Sequence, residues 1–207
     1  MSSNLARSGA ILLMLSFGIV LVACSTSPYE YSAISQSGFV NVVVEIPAGT
    51  NLKYEFSPKT KQFDVEIIDG NKRRVNFLPY PGNYGFVPST LMDKSKGGDG
   101  DALDILIISE SLPQGTIIET IPIAVLQLSD RGETDDKIIA VPADKSLRVI
   151  DCTTLNCLQE QSPKALSIIQ DWFSSYKGVE KMEFLGWANE NEALSEIKKW
   201  SISDEKK

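Results

Sequence analysis

The chain has 207 residues, 43% of them hydrophobic and 23% charged, with 27 acidic residues against 20 basic ones and a formal net charge of −7. This is the composition of one globular domain with a sizeable core, and its acidic balance argues against a nucleic-acid partner. With no histidine and no CxxC pair among three cysteines, zinc sites of the Cys/His kind and Ser/Cys-His catalysis are excluded, so any acid/base or metal chemistry must run on carboxylates, lysine and tyrosine.

The first residues read as an export signal. Arg7 supplies a positive start, Ala10 to Val22 is a short apolar run, and no acidic residue precedes Glu30; the run is too short and wrongly flanked for a spanning helix. It ends in Leu21-Val22-Ala23-Cys24, which resembles the bacterial lipobox, where the cysteine is lipidated and becomes the new N-terminus. An ordinary signal peptide cut after a small residue is the competing reading. We expect residues 1–23 to be a lipoprotein signal peptide, with Cys24 anchoring an exported protein to a membrane, facing the periplasm or the cell exterior. Because Arg7 is the one charged residue lost, the remainder carries 27 acidic and 19 basic residues, a net −8.

Residues 24–37 are small, polar and without period, as a flexible tether would be, and 38–207 are expected to form the folded domain. From Phe39, the runs FVNVVVEIP, LKYEF, FDVEII and RRVNFL are β-rich, broken by PAGTN, SPKTK and the turn signal DGN. ALDILIIS, TIIETIPIAVLQLSD and DKIIAVPA follow as further strands. The period then changes: Pro163 opens a helix with Ala165, Ile168, Ile169, Trp172 and Phe173 at helical spacing and Gly178 as its stop. Glu190 to Trp200 is a second, with Ala193, Leu194, Ile197 and Trp200 on one face. Strands first and helices last predict an α+β, mainly β fold: a small closed or partly open barrel with two C-terminal helices packed on it. Cys152 and Cys157 either pair as a small surface disulfide, if the compartment is oxidising, or stay free.

The chemistry concentrates in GGDGDALDILIIS, where Asp99, Asp101 and Asp104 crowd a glycine-rich turn. Several carboxylates in so small a volume are stable chiefly when a hard divalent cation neutralises them. A calcium EF-hand loop is excluded: counted from Asp99, its fifth and sixth positions are Leu103 and Asp104 instead of a ligand and glycine, although Glu110 falls at the twelfth. Asp130, Asp135 and Lys137 lie in a second polar loop between strands. Glu45 ends a buried strand, and Lys53 and Glu55, two apart, share a strand face. Tyr80 and Tyr84 sit in a proline- and glycine-punctuated segment, and Tyr176-Lys177 closes the first helix. Taken singly, each has a plainer reading as ion pair, core ring or solvated turn.

In this order, Glu45-Ile46-Pro47, Lys53-Tyr54-Glu55, Tyr80-Pro81-Gly82-Asn83-Tyr84-Gly85, Asp99-Gly100-Asp101-Ala102-Leu103-Asp104, Asp130 with Asp135 and Lys137, and Tyr176-Lys177 resemble the family I soluble inorganic pyrophosphatases over about residues 39–200. The resemblance implies an OB-like five-stranded barrel with extra hairpin strands, and Mg²⁺-dependent hydrolysis of pyrophosphate to two orthophosphates, with Mn²⁺ or Zn²⁺ as substitutes. It implies that Asp99, Asp104 and Asp135 hold the first Mg²⁺, Asp104 bridging to a second, and that Asp101 is the general base. Asp130 and Asp135 would bind metals arriving with substrate, with Glu45 and Glu55 around them. Lys53, Tyr84, Lys137, Tyr176 and Lys177 would hold the phosphates, and Tyr80 would line the same pocket. It also implies a homo-oligomer, the hexamer of bacterial relatives.

Two departures stand out. The signature usually has proline where this chain has Ala102. The family's phosphate-binding arginine has two candidates, Arg73 and Arg74, and we favour Arg74 because it lies an even number of residues from Tyr80. The rival of another class is a non-catalytic, membrane-tethered module binding a divalent metal and a phosphorylated ligand. A structural lipoprotein with a calcium loop would leave Lys53, Lys137, Tyr176 and Lys177 without purpose.

Overall fold

A computed structural model of the chain describes residues 27–57, 59–178 and 181–202. The expected signal peptide and the Cys24 lipidation site lie outside these residues. The valine-rich run becomes strand β1 (Val40–Ile46), buried almost throughout. Two hairpins follow, β2 (Tyr54–Ser57) with β3 (Gln62–Val65) and β4 (Ile67–Ile68) with β5 (Asn71–Lys72). Then come β6 (Asn83–Phe86), β7 (Asp104–Ile107), the long β8 (Ile117–Asp130), β9 (Glu133–Thr134) and β10 (Lys137–Pro142). The C-terminal part holds α1 (Leu155–Gln161), α2 (Pro163–Ser175), β11 (Met182–Asn189) and α3 (Glu190–Trp200).

The fold is mainly β, as expected. β1 pairs with β6, β6 with β7, β7 with β10, β10 with β8, and β8 again with β1, so the hydrogen-bonded neighbours return to their start. β8 is the spine, carrying β11 and β9 as well. Strand alternation then divides the core in two: Leu106, Leu126 and Ile139 pack with Trp172 and Phe173 of α2, while their neighbours Ile105, Val125 and Ile138 pack with Ala193, Ile197 and Trp200 of α3. Among the described residues no helix is long and apolar enough to cross a membrane.

Several expectations are corrected. Residues 27–37 are not a free tether. They dock on the domain through hydrogen bonds from Ser89 Oγ to the Tyr31 carbonyl (2.7 Å) and from the Asn41 amide to the Ala33 carbonyl (2.9 Å), so the folded part begins by Ser27 rather than at 38. RRVNFL is not a strand: beyond β5, Arg74 makes one bridge to Leu52, Val75 turns into the core, and residues 76–79 run exposed before Tyr80. β6, α1 and β11 were not anticipated, the last because Gly186 and a register shift interrupt its pattern. On α2 it is Leu166, not Ile168, that joins Ile169, Trp172 and Phe173 inside, and on α3 Leu194 is exposed. Cys152 and Cys157 are joined in a disulfide at the start of α1; Cys152 is wholly buried, so this is not a surface bridge.

Candidate active site

The acidic turn is held by its neighbours. The Gly100 amide donates to the Met92 carbonyl, the Met92 amide to the Asp101 carbonyl, and the Leu103 amide to Thr90 Oγ1. Gly98 is required here, since a Cβ would run into the Met92 backbone. Asp99 Oδ1 accepts from the Asp101 amide at 2.9 Å, which folds the turn back on itself. Asp104 then opens β7 from a rigid base of buried Ile105, Leu106 and Ile107. The Asp101 carboxyl is raised above the usual aspartate range by partial burial, and then by the charges of Asp99 and Asp104.

Glu45 reaches the same cavity because β1 bulges there: Val44 faces Gly85 and Ile46 faces Tyr84, leaving Glu45 unpaired between them. Its Oε1 accepts from the Phe56 amide at 2.9 Å. Burial pushes its pKa up to about 7, against the opposing pull of Lys53. Lys53 stands 3.4 Å from Glu55, on the shared face the spacing predicted. Burial disfavours its ammonium, but Glu45, Asp104 and Glu55 outweigh burial and leave its pKa raised.

The second polar loop is a tight turn, with Arg131 and Gly132 both at positive φ between paired Asp130 and Glu133. It brings Asp130 and Asp135 to the cavity, while Asp136 turns the other way to accept from the Leu128 amide. Lys137, 2% exposed, lies between Asp104 (2.6 Å) and Asp135 (2.7 Å). Burial alone would strip its charge, but Asp104 and then Asp135 hold its pKa well above the ordinary lysine value. Lys177, just beyond α2, spans Asp130 (2.8 Å) and Asp135 (3.0 Å).

An aromatic stack sets the opposite wall. Trp172 of α2 stacks on Tyr176 (4.7 Å, 11°) and tilts against Tyr80 (4.6 Å), which touches Tyr84 (5.2 Å). Tyr84 and Tyr176 line the cavity, and burial raises both phenols. Tyr80 does not reach it: its ring is core, packed beneath Tyr84, so its expected place in the pocket is corrected.

The arginine assignment is corrected too. Arg73 lines the cavity, with its guanidinium on Glu66 at 2.6 Å, whereas Arg74 is exposed and donates to Asn51 Oδ1. The Asp69–Gly70 turn fixes this. Both residues have positive φ, a two-residue hairpin that pairs Ile68 with Asn71 and Ile67 with Lys72, so Glu66 comes opposite Arg73. Counting outward from DGN would have found it; counting back from Tyr80 fails because the chain between is not extended strand. Sequence reasoning also missed Tyr29, Glu133 and Thr134, none of which belongs to a motif.

Every other residue predicted for catalysis, metal or phosphate binding opens onto one cavity of about 510 Å³. Its lining carries eight carboxylates against four cationic side chains, Lys53, Arg73, Lys137 and Lys177. Oxygen donors in such excess fit hard divalent cations, which would be the largest positive charges present. The buried Asp130 Oδ1, which has no hydrogen-bond partner, fits the same reading. Among the described residues no three carboxylates are already gathered into a cage, because Lys137 and Lys177 lie between them.

The family model for inorganic pyrophosphatase matches residues 42–203. The chain belongs to the inorganic pyrophosphatase family. It is 38% identical over 153 residues to an inorganic pyrophosphatase of Nostoc sp., covering 72% of this chain and 82% of that one. It is 36% identical over 165 residues to one of Neisseria meningitidis serogroup B, covering 78% and 86%. The crystal structure of inorganic pyrophosphatase from Thermus thermophilus superimposes with a TM-score of 0.70 at 28% identity, over 84% of this chain and 95% of that one.

Proposed function

We infer that this chain hydrolyses inorganic pyrophosphate to two orthophosphates with divalent metal, Mg²⁺ in the first place and Mn²⁺ or Zn²⁺ as substitutes. The observation that carries this is the single cavity in which carboxylates from β1, the acidic turn and the β9 hairpin face Lys53, Arg73, Lys137 and Lys177. Its relatives bear the name inorganic pyrophosphatase, and a tethered binding module is not favoured. We read the ring of five paired strands beneath it as a small OB-like barrel.

Asp99, Asp104 and Asp135 would hold the resident metal ions, with Asp130 and Glu55 toward those that accompany substrate. Divalent cations held there would supply charge to offset these carboxylates and would acidify a water. Asp101, on the exposed lip of the turn and with its proton affinity raised, takes the proton of the attacking water. Lys53, Arg73, Lys137 and Lys177 stabilise charge on the leaving phosphate, with the Tyr84 and Tyr176 hydroxyls as neutral donors. Asp104→Asn tests the metal assignment: it is expected to raise the Mg²⁺ concentration for half-maximal phosphate release roughly tenfold or more, by the weight of one charge-assisted ligand. An unchanged magnesium dependence removes Asp104 from the metal site.

We also propose that the protein is exported and anchored through a lipidated Cys24, its domain facing the periplasm or cell exterior as a homo-oligomer, by family resemblance a hexamer. The Cys152–Cys157 disulfide supports an oxidising compartment. Membrane retention in the host, lost in Cys24→Ala, is the expected result; a Cys24→Ala protein that still sediments with membranes contradicts the anchor.

A further inference from the structure

The four cations of the cavity are not held alike. The carboxylates paired with Lys53, Lys137 and Lys177 are Glu55, Asp104, Asp135 and Asp130, and all four line the cavity themselves. Arg73 is paired instead with Glu66, whose side chain is not among those lining the cavity. Its Nη1 donates to Glu66 Oε2 at 2.6 Å. The backbone at this place closes on itself: the Lys53 amide donates to the Arg73 carbonyl (3.1 Å), the Arg73 amide to the Glu66 carbonyl (2.7 Å), and the Glu66 amide to the Lys53 carbonyl (2.9 Å). Lys53 stands just before β2, Glu66 between β3 and β4, and Arg73 just after β5, so this ring ties the two hairpins together. Lys53 and Arg73 therefore spring from one fixed knot of backbone, and Glu66 is its third member.

We propose that Glu66 is a positioning residue for phosphate binding: from outside the cavity it fixes the Arg73 guanidinium at the wall, and it keeps hold when divalent cations occupy the carboxylates inside. An arginine carries its five N–H donors in one rigid plane, so fixing the Nη1 end restricts where the others point. Cations held by Glu55, Asp104, Asp130 and Asp135 would draw those carboxylates away from the three lysines, whereas they leave Arg73 with its own partner. Pre-set direction, more than added charge, is what Glu66 contributes, since its own charge offsets that of Arg73. The idea rests on reading Arg73 as a phosphate-binding group.

A double-mutant cycle tests it. Glu66→Ala should lower kcat/KM for pyrophosphate about three- to tenfold, the range for one hydrogen bond in a partly exposed pair, the two side chains being 25% and 30% exposed. In an Arg73→Ala background the same change should cost nothing further, which a merely structural role would not predict. Glu66→Gln, which keeps a carbonyl acceptor for Nη1, should stay within about a factor of two of the parent. Calorimetry with Mg²⁺ alone should give the same isotherm for Glu66→Ala and parent. Equal losses in both backgrounds, no loss in either, or a weakened Mg²⁺ isotherm each overturn the proposal. If Glu66→Ala does not fold, Glu66→Asp, which keeps the charge and withdraws the oxygens by one methylene, completes the same cycle. A folded parent that releases no phosphate ends the hydrolytic reading alone; the cycle is then read on pyrophosphate binding in Mg²⁺, and a parent that binds none overturns this proposal too.

Discussion

Asp101→Asn is expected to cut kcat by about 10²- to 10⁴-fold, the range for loss of a positioned general base, which corresponds to roughly 3–5 kcal/mol of barrier. The substitution is nearly isosteric. The hydrogen bond that folds the turn is donated by the residue's backbone amide to Asp99 Oδ1, so it survives, as does the bond from the Met92 amide to the Asp101 carbonyl. Asp101 has no cationic partner within ion-pair distance among the described residues, unlike Asp104 and Asp135. Its proton affinity is raised by burial and by the like charges of Asp99 and Asp104, as suits an acceptor. Because the base form does the work, the rate of the parent should fall as pH drops through the Asp101 pKa, and the variant should lose that limb. Steady-state phosphate release beside Mg²⁺ calorimetry checks this. Turnover within a factor of a few of the parent would end the general-base assignment.

Lys137→Met is expected to act first on stability. The ammonium is 2% exposed, 2.6 Å from Asp104 and 2.7 Å from Asp135, in the described structure the closest cation to both. Removing it leaves two carboxylates facing each other in a partly dry cavity. Breaking a fully buried pair costs about 3–5 kcal/mol; Asp104 is about a quarter exposed, so about 3 kcal/mol is the expected loss in EDTA. Millimolar Mg²⁺ should recover part of it, since a divalent ion can neutralise the same oxygens, while kcat stays low because a phosphate-stabilising charge is gone. Urea denaturation in EDTA and in Mg²⁺ reads both effects. Equal midpoints for variant and parent in EDTA would mean that Lys137 does not bear the charge of this cluster.

The parts of the fold that follow local rules were legible in the sequence. Valine and isoleucine runs became β1, β7, β8 and β10, and Pro163 and Asn189 open α2 and α3 where helical spacing begins. Motif residues found each other because strand ends, tight turns and the end of α2 carry them to one cavity. What was not legible depends on partners distant in sequence. Arg73 enters the cavity instead of Arg74 because a two-residue turn sets the register of β4 and β5. Tyr80 looked like a pocket residue until Trp172, 92 positions later, covered its ring. Residues 27–37 looked like a tether by composition, and they dock because Ser89 and Asn41 supply hydrogen bonds that no local pattern announces. Tyr29 is hidden for the same reason.

The central claim is that these carboxylates and cations together hydrolyse pyrophosphate. It is tested most directly by measuring orthophosphate released from pyrophosphate by the purified chain, with Mg²⁺ and with EDTA. Two orthophosphates per pyrophosphate consumed, at a rate that EDTA abolishes and Mg²⁺ restores, is the predicted result; no release in Mg²⁺ from a folded chain that binds the ion would contradict it.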